Sequence, residues 1–221
     1  MDEKIKSIID WIGTGSVNIF GLPFSGKDTL GVQLAEAING KFLSSGLILR
    51  AYNTQDKELY GEMSRGMLVP SNRFYEIILP YFAREDLADF PLILSSVGRW
   101  RGEEFEVIEA AESSRHPIRA VILLNLSEAE ARRRWEASKV LADRGERTDD
   151  KSLEVIEQRI NEFRKKTMPV IETYQEKGLL VPVSAHGTRE EVFNNAVTKL
   201  AEFARRAGTK PEHEVRLEEE V

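Results

Sequence analysis

SVNIFGLPFSGKDT, residues 16–29, runs from a strand through a glycine-rich turn into a helix. The opening SVNIF is a short apolar run with β-branched Val17 and Ile19. LGVQLAEAI, residues 30–38, follows with apolar positions at helical spacing. Strand, glycine turn and helix together are the context a phosphate-binding loop requires. Gly21 and Gly26 let backbone N–H groups turn inward with no side chain in the way. Those groups and the positive end of the following helix form an anion site. Lys27 adds a point charge that reaches the β- and γ-phosphates of a nucleotide. Read instead as a surface turn with a solvated lysine, the stretch leaves both glycines and the strand–helix context as coincidence.

At 221 residues the chain is long enough for one substantial domain with a proper core. A hydrophobic share of 41% beside a charged share of 31% predicts a soluble globular protein. Cysteine is absent, which excludes disulfides, thiolate catalysis and a cysteine-held zinc, and fits a reducing cytoplasm. His116, His186 and His213 are scattered, which argues against a histidine metal site. No apolar run approaches membrane-spanning length and the acidic N-terminus is not a signal peptide, so a cytoplasmic protein with no membrane partner is expected. The net charge of −6 argues against general nucleic-acid binding. Arginine clusters on this acidic background ask for a specific anionic partner.

Outward from the loop, Ile5, Ile8, Ile9 and Ile12 mark a short amphipathic helix ended by Gly13-Thr14-Gly15. Residues 41–44 read as a brief strand, and Ser45-Gly46 opens a helix carrying Arg50. Another short helix is expected over 58–63. After the turn GMLVPSN, Ser71 or Asn72 is placed as the cap of a helix reaching about residue 82. PLILS, 91–95, and IRAVILLNL, 118–126, are buried strands by composition, with a helix between them from about 104 to 115. Ser127 caps the next helix with Glu130 at the capping-box position, and that helix holds Arg132, Arg133 and Arg134. Residues 139–148 read as a polar loop with Arg144 and Arg147. A long helical stretch over 149–177 should bend or break near Pro169. A last strand over 179–183 and a closing helix over 189–206 precede a polar, acidic tail. Strands and helices alternating in this way predict a parallel sheet with helices on both faces. Gly21, Ser45, Ser96 and Leu126 fall at strand ends, where such sheets bind ligands.

Several short motifs in this order resemble the adenylate kinase family of nucleoside monophosphate kinases, from about Val17 to Leu200. The family's G-x-P-G-x-G-K-G-T loop is GLPFSGKDT here; its S/T-G-D-x-x-R acceptor helix is Ser45-Gly46-Leu47-Ile48-Leu49-Arg50. Its G-x-L-V-P turn is residues 66–70, its D-G-F-P-R segment is Ser95-Ser96-Val97-Gly98-Arg99, and its lid exit R-x-D-D is Arg147-Thr148-Asp149-Asp150, followed by the helix arginine Arg159. The resemblance implies a three-layer α/β/α fold around a five-stranded parallel sheet, with core 1–44, 84–137 and 150–207. It further implies a mobile acceptor segment at 45–83, a short lid at 138–149 and a flexible tail at 208–221. Relatives with longer lids staple them with zinc, which the lack of cysteine excludes here.

What the resemblance implies for chemistry is phosphoryl transfer from ATP to a nucleoside monophosphate, first of all AMP, by a monomer using magnesium. Lys27, Arg99, Arg134, Arg147 and Arg159 would be catalytic, with Arg144 a second lid candidate. ATP would lie on Gly21, Pro23, Phe24, Ser25, Gly26, Lys27, Asp28 and Thr29, with Arg134 and Arg189. The acceptor would lie on Ser45, Gly46, Arg50, Met67, Leu68, Val69, Gly98, Arg99 and Glu103. Arg133 is expected to be an ordinary surface ion pair. Asp28 stands where the family has glycine, and Ser95 where it has an aspartate associated with magnesium. A swap would place the metal near Asp28 and Thr29; otherwise Asp28 favours the helix N-terminus electrostatically. Glu103 aligns with the family's base-reading glutamine but can only accept hydrogen bonds when ionised, so base choice stays open. The alternatives are a GMP- or CMP-type kinase and a nucleotide-binding regulator with eroded catalysis. Phe24 replaces a glycine and Leu47 an aspartate.

Overall fold

The computed structural model describes residues 2–53, 56–141 and 152–208. Five parallel strands form one sheet in the order β2-β3-β1-β4-β5. They are β1 (Ser16–Gly21), β2 (Lys41–Ser44), β3 (Leu92–Ser95), β4 (Ile118–Asn125) and β5 (Leu180–Ser184). Every residue of β1 is buried, as a central parallel strand covered on both faces requires. Its register places Ile19 against Ser95, the last residue of β3, and Gly21 against Leu124 near the end of β4, so β1 and β4 reach about two residues beyond β3.

The strands send alternate side chains to opposite faces, and two apolar layers result. On one face Val17, Ile19, Ile93 and Ile122 pack with α1 (Glu3–Ile12), α2 (Lys27–Ala37) and α10 (Arg189–Gly208). On the other, Phe20, Leu92, Leu94 and Val121 pack with the remaining helices. These are α3 (Ser45–Asn53), α4 (Lys57–Ser64), α5 (Ser71–Ile78), α6 (Glu103–Ser113), α7 (Glu128–Leu141), α8 (Leu153–Glu162) and α9 (Met168–Glu176).

Several expectations are corrected. Ser71 is not a cap: Pro70 holds the cap position, and the Ser71 hydroxyl donates instead to Glu103 Oε1 at 2.7 Å. The α5 helix stops at Ile78, and the residues around Pro80 tighten into a 3₁₀ turn, Leu79–Ala83. The long helical stretch is interrupted near Pro169 as expected, by a widened π turn over Phe163–Thr167. Pro169 has no N–H for the preceding turn, and the ladder absorbs the loss by widening. At α7, Glu130 N donates to Ser127 Oγ at 3.2 Å as a cap requires. The Glu130 carboxylate, however, accepts from Arg133 and Arg134. The helix also runs two residues beyond the expected start of the polar loop, to Leu141.

Candidate active site

A cavity of about 540 Å³ opens at the carboxyl ends of β1, β2 and β3. The turn after β1 forms one wall with Gly21, Pro23, Phe24, Gly26, Lys27, Asp28 and Thr29. Gly26, at φ +89°, is the left-handed cap of α2, a conformation that favours glycine. Gly21 is in close quarters: a Cβ there would come within 2.7 Å of Ser25 Oγ and 3.0 Å of Leu124. Lys27 Nζ donates to the carbonyls of Gly21 and Leu22, both at 2.9 Å, so the ammonium folds over its own loop. Phe24 is buried at φ +63°, a strained backbone for a residue with a side chain. Burial in the core cluster beneath the loop compensates, and this is what the phenyl ring does where the family has glycine.

Asp28 sits beside β3 rather than out in solvent. Ser95 Oγ donates to its Oδ1 at 2.7 Å, and Ser44 Oγ approaches the same oxygen at 3.4 Å. The hydroxyl at 95 and the carboxylate at 28 are thus one hydrogen bond apart.

The opposite wall carries the arginines. Arg50, Arg99 and Arg159 all line the cavity, with Ser45 and Gly46 beside them. The Arg50 guanidinium lies against Gly46, where a Cβ would meet its Nη2 at 3.3 Å. Burial and the neighbouring Arg159 push the Arg99 guanidinium down to about 10, against the pull of Glu103 and Glu162. Asn18, buried in β1, holds the loop that carries Arg99: its Nδ2 donates to Val97 O at 2.7 Å and its Oδ1 accepts from Val97 N at 3.3 Å. Ser45 Oγ donates to Ser96 O at 2.7 Å, tying the acceptor helix to the same loop. Gly98 backs this loop without lining the cavity; a Cβ there would meet Val107 at 3.0 Å.

Met67, Leu68, Val69 and Glu103 also line the cavity. Glu103 is buried, and that burial pushes its carboxyl above the usual carboxylate range. Both of its oxygens are engaged: Oε1 by Ser71, Oε2 by the N–H groups of Arg99 at 2.7 Å and Trp100 at 3.0 Å.

A second cavity adjoins the first and shares Phe24, Gly26, Thr29 and Arg189 with it. Arg134 and Ser25 belong here, not to the first cavity. Arg134 Nη2 donates to Ala185 O at 2.7 Å and its Nε to Glu130 at 3.0 Å. Ser25 Oγ is buried and, among the described residues, has no hydrogen-bond partner. Arg133 is the expected exposed ion pair with Glu130, at 2.7 Å. Arg144, Arg147, residues 142–149 of the lid and residues 209–221 of the tail lie outside the described residues.

The description of the AAA domain matches residues 20–157. An adenylate kinase of Parasynechococcus marenigrum is 32% identical over 184 residues, covering 81% of this chain and 94% of that one. An adenylate kinase of Thermus thermophilus is 31% identical over 184 residues, covering 80% of this chain and 92% of its own. This chain belongs to the adenylate kinase family. As a member of the adenylate kinase family it is a nucleoside monophosphate kinase, a transferase that binds nucleotide through its phosphate loop. In backbone the chain is similar to a gluconokinase from Sinorhizobium meliloti, at TM-score 0.60 and 19% identity, covering 88% of this chain and 95% of that one; the likeness concerns the fold alone.

Several cavity residues of this adenylate kinase family member carried no signal of their own in the sequence. Ser44 ends β2, a position that the rule of ligands at strand ends flags, while Trp100 lies five residues past the end of β3 and has no such signal. His186, Gly187 and Thr188, in the second cavity, follow the end of β5, where that rule applies. Leu47, where the family has an aspartate, is exposed, and nothing in the structure explains it.

Proposed function

We propose that this kinase transfers the γ-phosphoryl group of ATP to AMP, giving two ADP. One arrangement carries the reading: Lys27 with its loop, and the guanidinium groups of Arg50, Arg99 and Arg159, line a single cavity. Donor phosphates on the loop and an acceptor phosphate on the arginines would meet there end to end. The protein's work is then positioning and charge stabilisation, which is most of what phosphoryl transfer asks of an enzyme. Arg50 and Arg99 offer planar forks that grip a phosphate through paired N–H groups. The donor nucleoside would occupy the second cavity beside Arg134 and Arg189. A monomer acting in the cytoplasm on small nucleotides is part of the proposal; among the described residues no helix is long and apolar enough to cross a membrane.

The donor set around Asp28 fits magnesium. A carboxylate with the hydroxyls of Ser95, Ser44 and Thr29 supplies hard oxygen ligands. Among the described residues no group of three or more histidine or acidic side chains could enclose a metal, so water and phosphate oxygens would complete the shell. When bound, the ion neutralises charge on the phosphates. Asp28 would supply the carboxylate that Ser95 lacks. In Asp28→Gly the magnesium concentration needed for tight ATP binding, measured by calorimetry, should rise, and adding Ser95→Asp should bring it back. Unchanged magnesium dependence in Asp28→Gly would discard this role.

The deciding experiment is ADP formation from ATP with AMP, GMP, CMP and UMP offered in turn. AMP is expected to be the fastest acceptor. Phosphate release without any acceptor would point to simple hydrolysis, and nucleotide binding without turnover to a regulator.

A further inference from the structure

Several polar groups of the cavity wall formed by Met67, Leu68, Val69, Phe74, Trp100 and Glu103 are engaged within the protein. Glu103 accepts from Ser71 and from two backbone N–H groups. Leu68 N–H donates to Glu162 at 3.2 Å, and Met67 N–H to Glu62 O at 3.1 Å. Val69 O accepts from the Trp100 indole Nε1 at 3.0 Å. Beside these groups the wall offers a nucleobase apolar surface from Met67, Val69, Phe74 and the indole.

The indole is held from two directions. Its N–H is fixed to Val69, and the Lys166 ammonium stands 3.7 Å from the ring centroid. Lys166 is itself paired with the buried Glu162 at 2.5 Å. Trp100 lines the cavity and Lys166 does not, so the ring separates the ammonium from the space a ligand would fill. An aromatic ring immobilised in advance loses little freedom when a base packs on it. Stacking is also tolerant, because every base presents a π face.

Resting on the acceptor site proposed above, we infer that the acceptor base is held by stacking and apolar contact on Trp100, and that this residue sets acceptor preference in place of a side chain reading the base edge. Purines, with the larger ring system, bind better than pyrimidines. The 6-amino group of adenine contributes little beside stacking, because the Glu103 carboxylate, which stands at the position of the family's base-reading glutamine, already accepts from Ser71 and from two loop N–H groups.

The test compares AMP, purine riboside 5′-monophosphate (AMP without its 6-amino group) and CMP as acceptors, in the wild type, Trp100→Phe and Trp100→Ala. The purine riboside compound should keep a kcat/KM within roughly tenfold of AMP; a site that reads the amino group would lose about 10⁴-fold. Trp100→Ala should raise the AMP KM roughly ten- to hundredfold, and Trp100→Phe should recover most of that loss. With Trp11 and Trp135 both changed to phenylalanine, Trp100 emission should respond to AMP and not to ribose 5-phosphate. Rejection of the purine riboside compound by more than about 10³-fold, or an unchanged AMP KM in Trp100→Ala, overturns the inference. If Trp100→Ala does not fold, the wild-type comparison still decides. Failure to phosphorylate any monophosphate would instead remove the kinase reading itself.

Discussion

Arg99 is a residue whose charge the ligand-free fold disfavours. Its guanidinium is lowered from the ordinary arginine range to about 10, first by burial and then by Arg159. For a base, a lowered folded value means a cost to stability that is present at every pH below about 10. That cost disappears only as the pH rises from there towards the ordinary arginine range, where the unfolded chain also loses the charge. An acceptor phosphate would reverse the sign by supplying the opposite charge. Arg99→Gln should therefore raise the ligand-free melting temperature by a few degrees, roughly 1–2 kcal/mol, while lowering kcat/KM by about 10³-fold. Calorimetry and initial rates check the two halves separately. Residue roles of this kind were only partly legible in the sequence. Lys27, Arg50 and Arg99 sit in motifs, whereas the engagement of Glu103 depends on Ser71, 32 positions away in the chain, which no local pattern connects to it. Trp100 was missed for the same reason: its partners Val69 and Lys166 come from distant segments.

Among the elements, α2 shows how packing overrides propensity. Gly31 lies in its interior, where alanine is the better helix former by about 1 kcal/mol. A Cβ at Gly31 would meet the Phe42 ring at 2.2 Å, so Gly31→Ala should destabilise, by roughly 1–3 kcal/mol, against the sign that propensity gives. Denaturant unfolding measures it. Ions join α7 to α8 and to the π turn: Arg132 Nη2 donates to Glu157 Oε2 at 2.8 Å, and Arg164 of the π turn pairs with Glu128. Arg132 holds the Glu157 carboxyl below its usual 4.5, and Arg164 and then Arg132 do the same for Glu128. Lowered acids contribute stability that is present above 4.5 and lost as the pH falls through the folded values. The stability gap between wild type and Glu157→Gln should accordingly close as the pH drops below 4.5, and narrow in high salt. Strands and most helix starts could be read from periodicity. The π turn could not: Pro169 announces a break, but which turn absorbs it is settled by packing on both sides.

At the scale of the whole molecule, the alternation of strands and helices pointed to a parallel sheet, and the strand order puts β1 in the middle with its carboxyl end between those of β3 and β4. Periodicity alone gives no strand order. Two cavities open along this edge, with four residues in common: Phe24, Gly26, Thr29 and Arg189. Their shared boundary fixes a distance. A compound made of two nucleosides bridged by a phosphate chain can fill both spaces at once only if the bridge matches that span, and then the second end binds as if at very high local concentration. Across a ladder of such compounds differing by one phosphate at a time, affinity should climb to a single sharp maximum and fall on either side. The position of that maximum would measure, with a molecular ruler, how far apart the enzyme holds its two substrates.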